Sequence, residues 1–331
     1  MKAVWIREFG GAENLEVREI ADLPMPTADR VLIRVKAAAL NRADLLQRRG
    51  LYPAPKGLLT EIPGLELAGE IIAIGDAVQN LKIGQRVFGI TAGAAQAEFV
   101  SAPENTLVEI PANLNFTEAA AVPEAFITAH DALFSQASLR MGETVLIHAI
   151  GSGVGLAAAQ LAKVGGAFVV GTSRTAEKIE RAGQLGLDVG VLTKNELSPE
   201  RFAEIVRNET DGAGVNVVLD LVGAKYLAGN LLSLAKLGRL VFVGTTAGSR
   251  AEIDILTVMT KRLRLFGTVL RSRSAEEKAT ATRLFAEQVV PLLARGIVKP
   301  TVDRVFPLAE IRAAHEYLES NQSFGKVVLE I

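Results

Sequence analysis

The stretch from Thr144 to Val243 leaves few folds open to this chain. A strand-like run, Thr144–Ala149, leads into Gly151-Ser152-Gly153-Val154-Gly155, and a small-residue helix, Leu156–Lys163, follows. Strand Ala167–Gly171, helix Ala176–Leu185, strand Val189–Leu192 and helix Glu200–Glu209 continue the rhythm. Strand Val215–Asp220, helix Lys225–Ala235 and strand Arg239–Val243 complete it. Strands alternating with helices build βαβ units and therefore a parallel sheet. The inner strands read Val-Leu-Ile, Phe-Val-Val and Val-Val-Leu without polar alternation, as strands covered on both faces do. The expected fold class is α/β, with a doubly wound parallel sheet.

The remainder is organised differently. Before Pro123 the chain shows short strands and turns. Val31, Ile33 and Val35 alternate with Leu32, Arg34 and Lys36, which buries one face of a strand. Apolar runs at Glu70–Ile74, Arg86–Ile90 and Gln96–Val100 are punctuated by Gly75, Gly84 and Gly93. From Ser274 a long amphipathic helix runs to Arg295, and the chain ends in the apolar strand Lys326–Ile331. A length of 331 residues suits about two domains. We therefore expect a β-rich domain from residues 1–122 and 268–331, with the α/β domain, 123–267, inserted between.

Composition excludes several functions. Lys and Arg number 36 against 37 Asp and Glu, so the basic excess typical of nucleic-acid binders is absent. There is no Cys, which removes disulfides, thiolate zinc sites, iron–sulfur clusters and cysteine nucleophiles together. Arg7, Glu8, Glu13 and Glu16 break any apolar run near the start, and no stretch reaches the ~20 apolar residues of a membrane helix. The expectation is a cytoplasmic protein without membrane or nucleic-acid partners.

The glycine loop lies between a strand and a helix. There a parallel α/β sheet binds a dinucleotide pyrophosphate, because unpaired helix N–H groups and the helix dipole point at the anion. Ser152, Gly153, Val154 and Gly155 are the candidate contacts. The spacing is not a strict G-x-G-x-x-G, and a tight strand-to-helix turn without ligand is the alternative. An NAD site places an acid about 20 residues after the glycines, at the tip of the second strand. Here the tip reads Thr172-Ser173-Arg174, followed by Lys178. A hydroxyl and two cations suit a 2′-phosphate, so NADPH is the expected cofactor. The alternative is an exposed helix start with incidental charge.

Five segments carry a family resemblance. They are Val145-Leu-Ile-His-Ala-Ile-Gly-Ser-Gly-Val-Gly155, Ala39-Leu-Asn-Arg-Ala-Asp-Leu-Leu-Gln-Arg-Arg-Gly-Leu-Tyr-Pro53, Pro63-Gly-Leu-Glu-Leu-Ala-Gly69, Leu270-Arg-Ser-Arg273 and Phe324-Gly-Lys-Val-Val-Leu-Glu-Ile331. In this order they resemble the zinc-free quinone oxidoreductases, zeta-crystallin-like members of the medium-chain dehydrogenase/reductase superfamily, and within them the stress-inducible subgroup. The resemblance covers the whole chain. It implies a Rossmann domain that binds NADPH beside a GroES-like catalytic domain, with substrate in the cleft between them, and hydride transfer to a quinone or related conjugated carbonyl. An enone or enoyl-thioester reductase is the alternative. A structural or RNA-associated crystallin-like protein is the alternative of another class.

The same resemblance implies roles for particular residues. Asn41 would hydrogen-bond the substrate oxygen near the nicotinamide, and Tyr52 would contact substrate or help deliver a proton; as alternatives, Asn41 is a turn residue and Tyr52 packs before Pro53. Thr128 would meet the carboxamide, its alternative being a helix-surface hydroxyl. Gly244 and Leu270 join the cofactor contacts. Relatives often carry a Tyr where this chain has Thr193 and some an Arg where it has Asn321, so both count as weakened 2′-phosphate contacts. Zinc-dependent relatives use a Cys where Asn41 stands and a His where Leu65 stands, and a metal is not expected. His148 is expected to pack beside the glycine loop, and His315 to lie on the surface. Arg271 and Arg273 are read as attracting an anionic cofactor or as structural ion pairs. The apolar strand Leu263–Val269 ends the Rossmann sheet, and an edge of that kind tends to be paired or covered. A homodimer through it is expected, with a tetramer as the larger alternative.

Overall fold

A computed structural model describes every residue except Lys56, Asn195 and Glu196. Its first strands are β1 (Lys2–Ile6), β2 (Leu15–Glu19), β3 (Arg30–Ala39), β4 (Glu66–Ile74), β5 (Arg86–Ile90), β6 (Phe99–Pro103) and β7 (Leu107–Glu109). Then follow β8 (Thr144–Ile147), β9 (Phe168–Ser173), β10 (Val189–Leu192), β11 (Val215–Asp220), β12 (Leu234–Phe242) and β13 (Arg264–Gly267). The last are β14 (Val302–Pro307) and β15 (Lys326–Glu330). Backbone proximity groups the chain into two units, Met1–Ile127 with Leu270–Ile331, and Thr128–Val269.

In the Thr128–Val269 unit, six parallel strands lie in the order β10-β9-β8-β11-β12-β13. The order reverses between β8 and β11. Ligands of doubly wound sheets bind outside the strand ends at such a reversal. Leu146, Val170, Val218 and Leu240, from four neighbouring strands, share a buried cluster with Phe202, Val206 and Leu231 of the covering helices. Uninterrupted apolar strands are what that burial requires, and the α/β reading of the sequence holds.

In the other unit, seven strands form a mostly antiparallel sheet. The path β14-β15-β3-β4-β5-β7 has β6 paired to β3, and β1 with β2 forms a separate hairpin. β3 is the hub, pairing with β4, β6 and β15. Through β15 it carries the C-terminal strand beside Ala37–Ala39, immediately before Asn41.

Two predicted elements change. The helix expected over Ser274–Arg295 divides into Ala275–Gln288 and Val290–Ala294. Pro291 has no N–H and disfavours a helical conformation in the residue before it, so the first helix stops. The helix expected over Lys225–Ala235 ends at Ser233, and β12 starts at Leu234, ahead of the predicted Arg239. Leu234 pairs with Val215 and Arg239 with Val217, so the intervening residues bulge from the ladder. Leu237 takes φ +64° there. Among the described residues no helix is long and apolar enough to cross a membrane.

Candidate active site

The dinucleotide-binding candidates are built on the reversal of the parallel sheet. β8 ends at Ile147, and Ala149 takes a left-handed φ of +49° that turns the chain toward the helix Gly153–Val164. Ser152 caps that helix, its Oγ accepting the Gly155 N–H at 3.1 Å. The N–H groups of Gly153 and Val154, in the first turn, have no intrahelical acceptor and can serve an anion. A Cβ on Gly155 would lie 2.6 Å from the Ala149 carbonyl oxygen, so the turn needs glycine at that position. The Lys178 side chain runs against Gly151, its Cδ 2.9 Å from where a Cβ would stand.

The tip of β9 brings three further candidates together. Ser173 is buried and Arg174 exposed. The Ser173 Oγ accepts the Thr175 N–H at 3.2 Å, and the Ser173 carbonyl accepts both the N–H and the hydroxyl of Thr193, at 2.8 and 3.2 Å. Gly244 lies past the end of β12, its N–H donating to the Asp220 carbonyl at 3.2 Å; a Cβ there would sit 2.5 Å from the Leu221 oxygen. Thr128 is half-buried on the helix Pro123–His130. Helix-start donors, hydroxyls and cations form a donor set that fits a phosphorylated dinucleotide.

The Met1–Ile127 and Leu270–Ile331 unit holds a compact group of charges. The Lys326 ammonium donates to the Glu66 Oε1 at 2.6 Å, the Asn41 Oδ1 at 2.6 Å and the Leu40 carbonyl at 2.9 Å. Asn41 Nδ2 also donates to Glu66 Oε1, at 2.8 Å. The other Glu66 oxygen accepts the backbone N–H of Glu124 at 2.8 Å, at the start of the helix Pro123–His130. Asp44 accepts from the N–H of Asn41 at 2.7 Å and of Gly64 at 3.0 Å. Burial raises the Asp44 carboxyl to about 6 although those N–H groups oppose the rise. Burial, and then the Glu66 charge, raise Glu124 to about 8.

Tyr52 and Arg271 adjoin this group. The Arg271 guanidinium lies over the Tyr52 ring at 4.9 Å, with Nε donating to the Ala92 carbonyl at 2.8 Å and Nη1 to the Tyr52 carbonyl at 3.1 Å. Arg271 is 5% exposed. Burial and the neighbouring Glu124 raise the Tyr52 phenol, so it is neutral at physiological pH.

Two family models match the chain: an alcohol dehydrogenase GroES-like domain over residues 27–112 and a zinc-binding dehydrogenase over 153–287. The quinone oxidoreductase of Rattus norvegicus is 32% identical, over 99% of this chain and 97% of the relative. This chain belongs to the quinone oxidoreductase family of medium-chain dehydrogenases/reductases. Among solved structures, the Escherichia coli quinone oxidoreductase complexed with NADPH matches with TM-score 0.89 and 28% identity, covering 100% of each chain. An NAD-dependent alcohol dehydrogenase matches with TM-score 0.86 and 33% identity, again over 100% of each. Quinone oxidoreductase relatives of this kind make the protein an oxidoreductase.

In this member of the quinone oxidoreductase family, the Asn41 amide donates to Glu66 and accepts from Lys326, and so helps to hold that pair. Leu270 is buried where the second segment of its unit begins, and Asn321 accepts from Arg42 at 2.6 Å. His315 is fully buried, against the expectation of a surface position. Its ring nitrogens have no partner among the described residues, and burial, then Arg48, push it down to about 3. Ile311, Ala314 and Leu318 flank it at helical spacing on the buried face, which the sequence periodicity could have shown. His148 is also fully buried, held by Thr172 at 3.0 Å and Asn230 at 2.7 Å. Its ring stacks on Tyr226 at 4.2 Å, and burial lowers its pKa.

Sequence reading did not single out Asp44, Glu66, Glu124 or Lys326. They come from separate elements, and only the fold brings them together. The one available signal was that Asp44, Glu66 and Lys326 lie in family-like segments; Glu124 lies outside all five.

Proposed function

We propose that this protein is an NADPH-dependent reductase of quinones or related conjugated carbonyls that works without a metal. The observation that carries this reading is the seat of Lys326. Asn41 and Leu65 stand where zinc-dependent relatives have Cys and His, and Lys326 already fills the space between Asn41 and Glu66 with a positive charge. A divalent cation beside them would face an amide, an isobutyl side chain and an ammonium, which is not a zinc donor set. Without a Lewis acid, an acceptor that is already electrophilic fits best.

When bound, the nicotinamide supplies the hydride. The chain's own residues bind and orient. Gly153 and Val154 offer N–H groups to the pyrophosphate, and Ser173, Arg174, Lys178 and Thr193 surround the place for a 2′-phosphate. Thr128, Gly244, Leu270 and Asn321 are further cofactor contacts in this reading, and Asn41 and Tyr52 contact the substrate. NADPH oxidation measured against a quinone panel and an enone panel tests it. Turnover with quinones supports the reading. Turnover with enones alone moves the assignment to an enone or enoyl-thioester reductase. NADPH binding without turnover of any acceptor favours the binding-protein alternative.

A homodimer of cytoplasmic location completes the proposal. Among the described residues β13 pairs only with β12 and leaves an open edge. Nearby, Ile255, Leu256, Met259 and Val269 are exposed apolar side chains, which favours covering this edge with a second copy. Light scattering at micromolar concentration should give at least the dimer mass, and a monomer mass would exclude this interface.

A further inference from the structure

We propose that Glu124 is the proton donor of the reduction, passing its carboxyl proton to the oxygen of the substrate as hydride arrives. The proposal rests on the reductase reading above and names a residue for the half of the reaction that the cofactor does not supply.

The argument begins with charge. Three carboxyl groups, from Asp44, Glu66 and Glu124, share one region with two buried cations, Lys326 and Arg271. Two of the acids are committed. Glu66 accepts from the Lys326 ammonium, the Asn41 amide and the Glu124 N–H. Asp44 accepts from two backbone N–H groups. Arg271 is spread over the Tyr52 ring and two carbonyl groups. Among the described residues the Glu124 carboxyl receives no such donor, and its residue is partly exposed while Glu66 and Asp44 are closed off.

Among the described residues, charged groups on five elements or segments face Glu124. Glu66 on β4 and Asp44 on the helix Arg42–Arg48 disfavour its ionisation; Lys326 on β15 and Arg271 favour it. Lys278, on the helix Ala275–Gln288, is half-buried and also feels Glu124. Burial and Glu66 prevail, so the acid form is present below about pH 8 and lost above it. A partly exposed acid protonated at neutral pH can give its proton up and recover it from water. Tyr52 is near enough for Glu124 to raise its pKa, but the phenol is the weaker acid.

The step balances. Bound NADPH would supply the hydride, two electrons and one hydrogen, to the carbonyl compound and would leave as NADP+. The resulting oxyanion takes the Glu124 proton, and the Glu124 carboxylate is reprotonated by water.

Two measurements on the full chain test this. Infrared spectroscopy of the cofactor-free protein should show a carboxylic acid band that titrates near pH 8 and is missing in Glu124→Gln. In steady-state kinetics, kcat should fall above that pH. Glu124→Gln should be about 10²-fold slower at neutral pH, with the alkaline fall removed and NADPH affinity unchanged. Loss of both band and alkaline limb supports the proposal. A Glu124→Gln enzyme within twofold of the parent, an unchanged alkaline limb, or no band lost overturns it while leaving the reductase reading intact. A parent protein showing the band but no turnover overturns the reductase reading, and the donor role with it.

Discussion

Replacing Lys326 by Met should cost about 3–5 kcal/mol of folding stability, the penalty for leaving a buried charge without its partner. Lys326 is 6% exposed and Glu66 is fully buried. The ammonium has three acceptors, Leu40, Asn41 and Glu66, matching its three N–H bonds. Methionine keeps the length and removes every donor. Glu66 then keeps the Asn41 amide and the Glu124 N–H but loses its counter-charge, and the Leu40 and Asn41 oxygens lose a donor. The measurement is the denaturant midpoint at constant m-value. The double variant Lys326→Met with Glu66→Gln separates the pair from simple packing. With no stranded carboxylate, it should recover most of the loss, giving a coupling of more than 1 kcal/mol. A single variant costing under about 1 kcal/mol, or a pair of strictly additive losses, would show that this contact does not hold the site together.

That ion pair also marks where sequence reading stops. The parallel sheet was legible because strands covered on both faces must be apolar throughout, as Val145–Ile147 and Val217–Leu219 are. The glycine loop was legible because a strand, a tight turn and a helix N-terminus are contiguous. Ser152 and Gly155 accordingly meet across three residues, joined by the cap hydrogen bond. Thr193 and Ser173 were also read as one group, and adjacent parallel strands do bring them into contact.

Contacts between distant segments carry no such local mark. Lys326 reaches Asn41 because β15 pairs antiparallel with β3, and neither strand contains a residue that announces its partner. Asn41 was singled out as the residue standing where zinc-dependent relatives carry Cys. The bonds its amide makes to Lys326 and Glu66 come from distant segments and could not be read from that position alone. His315 is a different case. Its neighbours Ile311, Ala314 and Leu318 did carry the helical period, but a preference for placing His on the surface outweighed it. The bulge in β12 was hidden because residues 235–238 read as the end of a helix, while their departure from the ladder is imposed by pairing with β11.

The dinucleotide end offers the largest expected effect on binding. Arg174→Ala should weaken NADPH by about tenfold to a hundredfold, from the loss of charge-assisted bonds of roughly 1.5–3 kcal/mol. Arg174 is exposed at the tip of β9, so salt and water screen it and the lower end is expected. The proposed contact is to the 2′-phosphate alone, so NADH, which lacks that group, should bind within about twofold of its original affinity. Lys178 is less free to replace it, since its methylenes lie along Gly151. Ser173 and Thr193 are also limited, because the Thr193 hydroxyl donates to the Ser173 carbonyl and the Ser173 Oγ accepts from Thr175. Arg174 is therefore the side chain with most to lose. Titration of each cofactor by fluorescence or calorimetry at two ionic strengths checks the argument. The NADPH advantage of the unmodified protein should shrink as salt rises, and Arg174→Ala should show a flatter salt dependence. Equal affinity for NADPH and NADH in the unmodified protein would remove the basis for the 2′-phosphate site. An Arg174→Ala variant that weakens both cofactors alike would place the arginine on the pyrophosphate instead.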